Sequence, residues 1–100
     1  MTDRRRYNLS VLRPAERFLD RLERSQPADL ARIEDAIEEL ADDPRPSGCK
    51  PLTGYRNVWR HRVGNYRICC QIDDGQLVVL AITISTRDDV YELLRRHLGR

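Results

Sequence analysis

Three arginines, Arg60, Arg62 and Arg67, are the residues of this 100-residue chain whose type and spacing most directly imply chemistry. They lie in the run NVWRHRVGNYRICCQI, residues 57–72, which reads as two strands joined at Gly64-Asn65. Gly-Asn between apolar residues is a tight-hairpin signal, because these residues tolerate backbone angles that most refuse. With Val63 and Tyr66 flanking the turn, Arg62 stands opposite Arg67 and Arg60 lies two residues along the same face. Trp59, His61, Val63, Tyr66, Ile68, Cys70 and Ile72 then point the other way. Like charges directly opposite on neighbouring strands repel, where an opposite pair would gain from a few tenths to ~1 kcal/mol. No Asp or Glu stands between Asp43 and Asp73, while Arg45, Lys50, Arg56 and the three hairpin arginines all do. An anion explains such a cluster well, since the planar guanidinium matches phosphate. The competing explanation is a solvated basic face neutralised by carboxylates from elsewhere in the chain.

The charge distribution sharpens this picture more than the total does. The net charge is +2. Residues 1–43 hold 8 Arg against 11 acids, and residues 44–100 hold 10 Arg or Lys against 5 acids. Of the 18 basic residues only Lys50 is a lysine. This bias suits bidentate phosphate contacts and equally suits a GC-rich genome. The three cysteines, Cys49, Cys69 and Cys70, form no disulfide framework, and with two histidines they show no paired metal spacing. Reduced thiols and a cytoplasmic location are expected, with neither metal nor cofactor. No leader peptide and no apolar run near the ~20 residues of a membrane span is apparent, so no membrane partner is expected.

The elements that must position the hairpin follow from periodicity. Tyr7–Leu12 alternates apolar and polar residues, as a half-buried strand does. Pro14 fits the start of a helix, and Ala15, Phe18, Leu19 and Leu22 give it one apolar stripe. Pro27 opens a second helix with a stripe of Leu30, Ile33, Ile37, Leu40 and Ala41, which Pro44 ends. The two helices should fold back on each other over a sheet. Residues 43–54, rich in Pro and Gly, read as an ordered loop. After the hairpin, Asp74-Gly75 marks a second tight turn. Leu77–Ile84, apolar on both faces, reads as the central strand. Val90, Leu93, Leu94 and His97 or Leu98 outline a last helix ending at Gly99. The expected order is β-α-α-β-β-β-α: one α+β domain spanning residues 1–100, with a helical hairpin on a mainly antiparallel four-stranded sheet.

Taken together, YNLSVL (7–12), AERFLDRLERS (15–25), KPLTG (50–54), WRHRVGNYRI (59–68) and TRDDVY (86–91) resemble the RelE/ParE toxin superfamily of type II toxin–antitoxin modules. The likeness covers nearly the whole chain. Its most specific part is Arg62-x-x-Gly64-x-Tyr66-Arg67 followed by Arg87-x-x-x-Tyr91. For the RelE branch it implies a ribosome-dependent endoribonuclease: a ribose 2′-OH attacks the adjacent phosphate, leaving a 2′,3′-cyclic phosphate and a 5′-OH. That reaction needs a proton acceptor, a proton donor and positive charge on the pentavalent phosphate. By position, Arg67 matches the arginine at the scissile phosphate and Arg60 a basic residue of the preceding strand. Arg87 matches the basic residue after the last strand, and Tyr91 the tyrosine that stacks on, hydrogen-bonds or deprotonates the substrate. Arg56, Arg62 and, more weakly, Lys50 would hold RNA backbone.

Departures from the pattern bear on the proton transfers. Val58 stands where some active members carry a lysine, Thr86 where many carry a histidine, and no Glu lies in the loop or hairpin. Arginine is a poor proton donor, with a pKa above ~12. His61, on the Trp59 face, reads as a core or edge histidine, His97 as a partner of the helix dipole, and Cys69 as a buried thiol. The resemblance also implies a cognate antitoxin as partner, the ribosome and mRNA as targets, and DNA contacted only through the antitoxin. A ParE-type inhibitor of DNA gyrase and a plain nucleic-acid-binding domain are the alternatives.

Overall fold

The computed structural model describes residues 6–87 and 89–98. The elements run β1 (Asn8–Val11), α1 (Arg13–Ser25), α2 (Pro27–Glu39), β2 (Lys50–Pro51), β3 (Val58–Val63), β4 (Tyr66–Asp73), β5 (Val78–Ser85) and α3 (Val90–Leu98). Arg4, Arg5, Asp88 and Gly99 lie outside the described residues.

The five strands form one sheet in the order β1-β5-β4-β3-β2, antiparallel except for the parallel pair β1 and β5. This corrects the four-strand expectation. The additional strand is the two-residue β2, paired at Lys50↔Arg60 and Pro51↔Trp59. It sits at the sheet edge, where the missing N–H of Pro51 is tolerated. The middle strand is β4 rather than β5, although β5 has a neighbour on each side.

Both helices begin with proline in the first turn, Pro14 and Pro27, and Gln26 alone separates them. The helix α2 stops at Glu39, and residues to Asp42 continue in a tighter winding through N–H to C=O bonds such as Ala41 to Glu38 and Asp42 to Glu39. The helical stripes pack on one face of the sheet. Ala15, Leu22, Ile33, Ile37 and Leu40 meet Tyr66, Ile68, Cys70, Ile72, Val79, Ala81 and Ile84. On the opposite face a smaller cluster joins Leu52, Val58, Cys69 and Ile82 to Val90 and Leu94 of α3. A register shift at Cys69/Cys70 leaves Ile82 unpaired, so Ile82 joins the second face.

The β3–β4 turn has a positive φ at Gly64 (+59°) and not at Asn65, the pattern of a type II′ hairpin. In the β4–β5 connection the left-handed residue is Leu77 (φ 56°), not Gly75. There Asp73 Oδ1 accepts the Gln76 N–H at 3.0 Å, and the connection takes four residues instead of the two-residue turn that Asp-Gly implies.

Candidate functional site: a basic sheet face

The hairpin register is the one that sequence spacing implies: Val63↔Tyr66, Arg62↔Arg67 and Arg60↔Cys69. Two cross-strand rows follow. One runs Arg62–Arg67–Ser85, the other Lys50–Arg60–Cys69–Thr83. Side chains opposite each other share a face, so Lys50, Arg60, Arg62 and Arg67 all stand on the side away from α1 and α2. Lys50 and Arg62 are exposed; Arg60 and Arg67 are half-buried. Lys50, Arg60 and Arg62 take part in no ion pair among the described residues. The Arg60 Nε is buried and has no hydrogen-bond partner there. The Arg67 guanidinium is oriented by the Thr86 carbonyl, to which Nη1 donates at 3.0 Å.

The start of α3 closes one border of this face. Ser85 Oγ donates to Asp89 Oδ1 at 2.7 Å and accepts the Arg87 N–H at 2.9 Å, which fixes the strand-to-helix corner. Arg87 is exposed at that corner. Two residues into α3, Tyr91 is 41% exposed, and its oxygen accepts the Thr53 N–H at 2.9 Å. The phenolic proton is thereby left for a ligand, because that oxygen acts as an acceptor toward Thr53. The Tyr55 ring lies 6.2 Å from the Tyr91 ring, tilted by 37°. By these contacts Tyr91 borders the face beside β2, and Arg60 on β3 stands on the strand between it and Arg67 on β4.

Arg56 is exposed in the turn that precedes β3, next to Asn57 with its left-handed φ of 60°. One arginine of the sequence cluster falls elsewhere. Arg45 belongs to the opposite face. Its Nη1 and Nη2 donate to the two carboxylate oxygens of Asp74 at 3.0 and 2.8 Å, and its guanidinium lies 5.2 Å from the centre of the Trp59 ring. Asp74 also accepts the Tyr7 hydroxyl at 2.6 Å. The Arg45 guanidinium beside it, more than the Tyr7 bond, holds the Asp74 carboxyl below its usual range. Arg45 is thus neutralised by an acid distant in sequence.

Asp89 is the residue that sequence reasoning passed over as a site carboxylate. It is half-buried, and its charge acts on the Cys69 thiol together with that of Arg60. Its Asp-Asp-Val context reads as a helix start, which conceals its position beside the cations. Burial pushes the Cys69 thiol up to about 11, against the lowering effects of its Thr83 hydrogen bond and of Arg60. A thiol so rarely ionised is not a nucleophile. Among the described residues, no three His, Cys, Asp or Glu side chains gather as a metal ion would require.

Beside Arg67 a polar cleft of about 440 Å³ opens between the hairpin tip and the α1–α2 junction, lined by Gln26, Asp29, Asn65, Tyr66 and Thr86. The Tyr66 hydroxyl lies 2.6 Å from Asp29 Oδ2 and 3.0 Å from Gln26 Oε1. A hydroxyl has one proton, and the charged, shorter contact takes it. This bond raises the Tyr66 pKa and clamps the hairpin to α2.

The comparisons with known proteins agree on what this five-stranded sheet with its two-helix layer is. The sequence model of the family described as "ParE toxin of type II toxin-antitoxin system, parDE" matches residues 9–91. The chain belongs to that family. The toxin is also similar to a chain of the RelBE2 toxin–antitoxin complex of Mycobacterium tuberculosis, at 26% identity and a TM-score of 0.71, over 85% of this chain and 95% of that one. A mutant of the Escherichia coli toxin RelE in the free state shares the fold at a TM-score of 0.73 and 18% identity, over 95% and 97% of the two chains. The YoeB/ParE toxin of Agrobacterium tumefaciens does so at 0.68 and 16%, over 77% and 94%. No curated protein matches the sequence.

Proposed function

We propose that this toxin is a ribosome-dependent mRNA endoribonuclease that halts translation by cleaving through attack of a ribose 2′-OH on the adjacent phosphate. One observation carries the reading: Lys50, Arg60, Arg62 and Arg67 stand on one face of three adjacent strands, at positions where the chain tolerates an Arg–Arg cross-strand pair. Such a pair costs stability, and an RNA backbone offsets the cost. Arg67, with its guanidinium oriented by the Thr86 carbonyl, and Arg60, with an unpartnered buried Nε, hold the scissile phosphate and the charge that grows on it. The 2′-OH proton passes to a solvent water as the O2′–P bond forms, and Tyr91, whose oxygen already accepts the Thr53 N–H, gives its proton to the 5′-oxygen as the P–O5′ bond breaks. Arg87 contacts a neighbouring phosphate from the corner before α3. Lys50 and Arg62 bind the flanking RNA backbone; Arg56, at the far end of β3, binds ribosomal RNA.

A cognate antitoxin is the partner that this reading requires. The structures of RelBE2, of RelE–RelB from Pyrococcus horikoshii and of E. coli RelBE are all toxin–antitoxin complexes. Acidic side chains from an antitoxin laid over the cation row would relieve the Arg62–Arg67 repulsion and mask the face. DNA is reached only through that antitoxin, and the toxin itself acts in the cytoplasm without a cofactor.

The second reading, a ParE-type inhibitor of DNA gyrase without nuclease activity, draws on the family description and on Thr86, a residue that cannot serve as the acid–base group. Asp89, the carboxylate at that corner, is engaged by Ser85. Purified toxin added to a translating extract and, separately, to a gyrase supercoiling reaction distinguishes the two. The endoribonuclease reading expects mRNA cut within the ribosome-bound codon and unimpaired supercoiling. Intact mRNA with blocked supercoiling would reverse the assignment.

A further inference from the structure

On the helix-covered side of the sheet, away from the basic face, His61 poses a problem that the toxin's proposed activity does not solve. Its side chain is 5% exposed, yet neither Nδ1 nor Nε2 has a hydrogen-bond partner among the described residues. Buried polar groups are nearly always paired, and an unmade hydrogen bond there is costly. His61 lines a cavity of about 470 Å³ between the end of α2, the loop after it, and the β3–β4 hairpin. The walls include the apolar side chains of Leu40, Pro46 and Ile68. Glu39, Asp42 and Asp43 border it. Asp42 pairs with Arg6 at 3.5 Å, whereas Glu39 and Asp43 have no ion pair among the described residues. Arg62 is the one cation that also borders it, and its strand position directs its side chain to the other face of the sheet.

We propose that this cavity receives an arginine side chain from a basic segment of a partner polypeptide. The chemistry excludes other occupants in turn. Carboxylates at the mouth disfavour an anion. An unsatisfied imidazole and acids disfavour a purely apolar group. A guanidinium on a three-carbon stem meets every feature. The stem lies on Leu40, Pro46 and Ile68, the planar fork donates to the Asp43 or Glu39 carboxylate, and a remaining N–H reaches the acceptor nitrogen of a neutral His61. Burial lowers the His61 pKa against the opposing charge of Asp43, which keeps that acceptor available at neutral pH.

A polypeptide, rather than a small amine, follows from the surface around the mouth. The acidic ridge of α2 continues outward from the cavity through exposed Glu34, Asp35 and Glu38. A second hollow of about 400 Å³ lies along it, bordered by Asp35, Glu38, Glu39, Asp42 and Arg6, of which Arg6 is paired with Asp42 and the other three acids are not ion-paired among the described residues. That extended negative track complements several basic residues in sequence, one of which enters the cavity.

The test is an NMR titration of the full-length toxin with N-acetyl-arginine amide, read at the His61 ring and at the amides of residues 36–47 and 61–63. N-acetyl-citrulline amide, which has the same shape without the charge, and spermidine serve as competitors. Saturable shifts confined to those residues are expected with the arginine probe. Binding should be at least about tenfold weaker with citrulline and with the exposed-site variant Asp43→Asn, the loss that fits one charge-assisted hydrogen bond. His61→Leu should lose binding as well, and Asp43→Asn carries the test alone if that variant does not fold. Shifts absent at these residues, equal with citrulline, or unchanged by Asp43→Asn overturn the site. Preferential occupancy by spermidine overturns the polypeptide assignment.

Discussion

The two faces of the β3–β4 hairpin are built from alternate residues of the same sixteen-residue run and do opposite jobs. Toward α1 and α2, Tyr66, Ile68, Cys70 and Ile72 are all buried, and Tyr66 packs edge-on against Phe18 with ring centres 5.9 Å apart. Toward the other side, the same strands present Arg60, Arg62 and Arg67, and α3 covers only the portion around Cys69, Val58 and Ile82. One face supplies apolar burial, which holds the domain together. The other accepts like-charge repulsion and an unpartnered Nε, features that reduce stability and that the proposed RNA contact would offset. A period of two in the sequence thus separates the folding face from the proposed binding face residue by residue.

Substitutions can break that separation, and the largest effect should come from the buried face. Ile68→Ala, at 1% exposure in the centre of the helix-side core, should destabilise the toxin by about 3 kcal/mol in a denaturant titration. RNA affinity measured well below the unfolding transition should stay near the wild-type value. Equal loss of binding would mean that the two faces are not independent.

Arg62→Ala should do the reverse. Relief of the Arg62–Arg67 repulsion should leave stability unchanged or raise it by a few tenths of a kcal/mol. RNA binding should weaken, with the slope of log K against log salt reduced by roughly 0.7 to 0.9 for the lost phosphate contact. An unchanged salt slope would remove Arg62 from the RNA surface.

The smallest effect concerns pH. His61 in the folded chain has its pKa lowered by burial, so the unfolded chain, titrating near ~6.5, takes up the proton first. Stability should therefore be constant above about pH 6.5 on this account, fall as pH drops toward the folded pKa, and level off below it. Subtracting the stability–pH curve of His61→Gln from that of the wild type isolates this contribution. A difference curve that is flat between pH 7 and 5 would show that His61 is not desolvated.

Local pattern made most of the fold legible. The Gly64-Asn65 turn fixed the register that brings Arg62 opposite Arg67, and the apolar stripes located α1, α2 and α3 to within a few residues. What stayed hidden depended on partners far apart in sequence or on segments too short for a period. The strand β2 has two residues, one of them proline, and no alternation to detect. Arg45 looked like part of the basic cluster because its acid, Asp74, is 29 residues away. Asp89 was concealed by its role at a helix start, and the His61 cavity exists only once α2 and the hairpin have met. Of the candidate site, the face bearing Arg60, Arg62 and Arg67 was readable. The tether from Tyr91 to the Thr53 N–H and the orientation of Arg67 by a carbonyl were not.

Single-turnover cleavage of mRNA on programmed ribosomes, compared between the wild type and Arg67→Ala, tests the central assignment most directly. The account predicts a cut within the ribosome-bound codon for the wild type, slowed by roughly 10²- to 10³-fold in the variant with the fold intact, as for loss of a donor to a developing oxyanion. Equal cleavage rates, or no cleavage by the wild type, would contradict it.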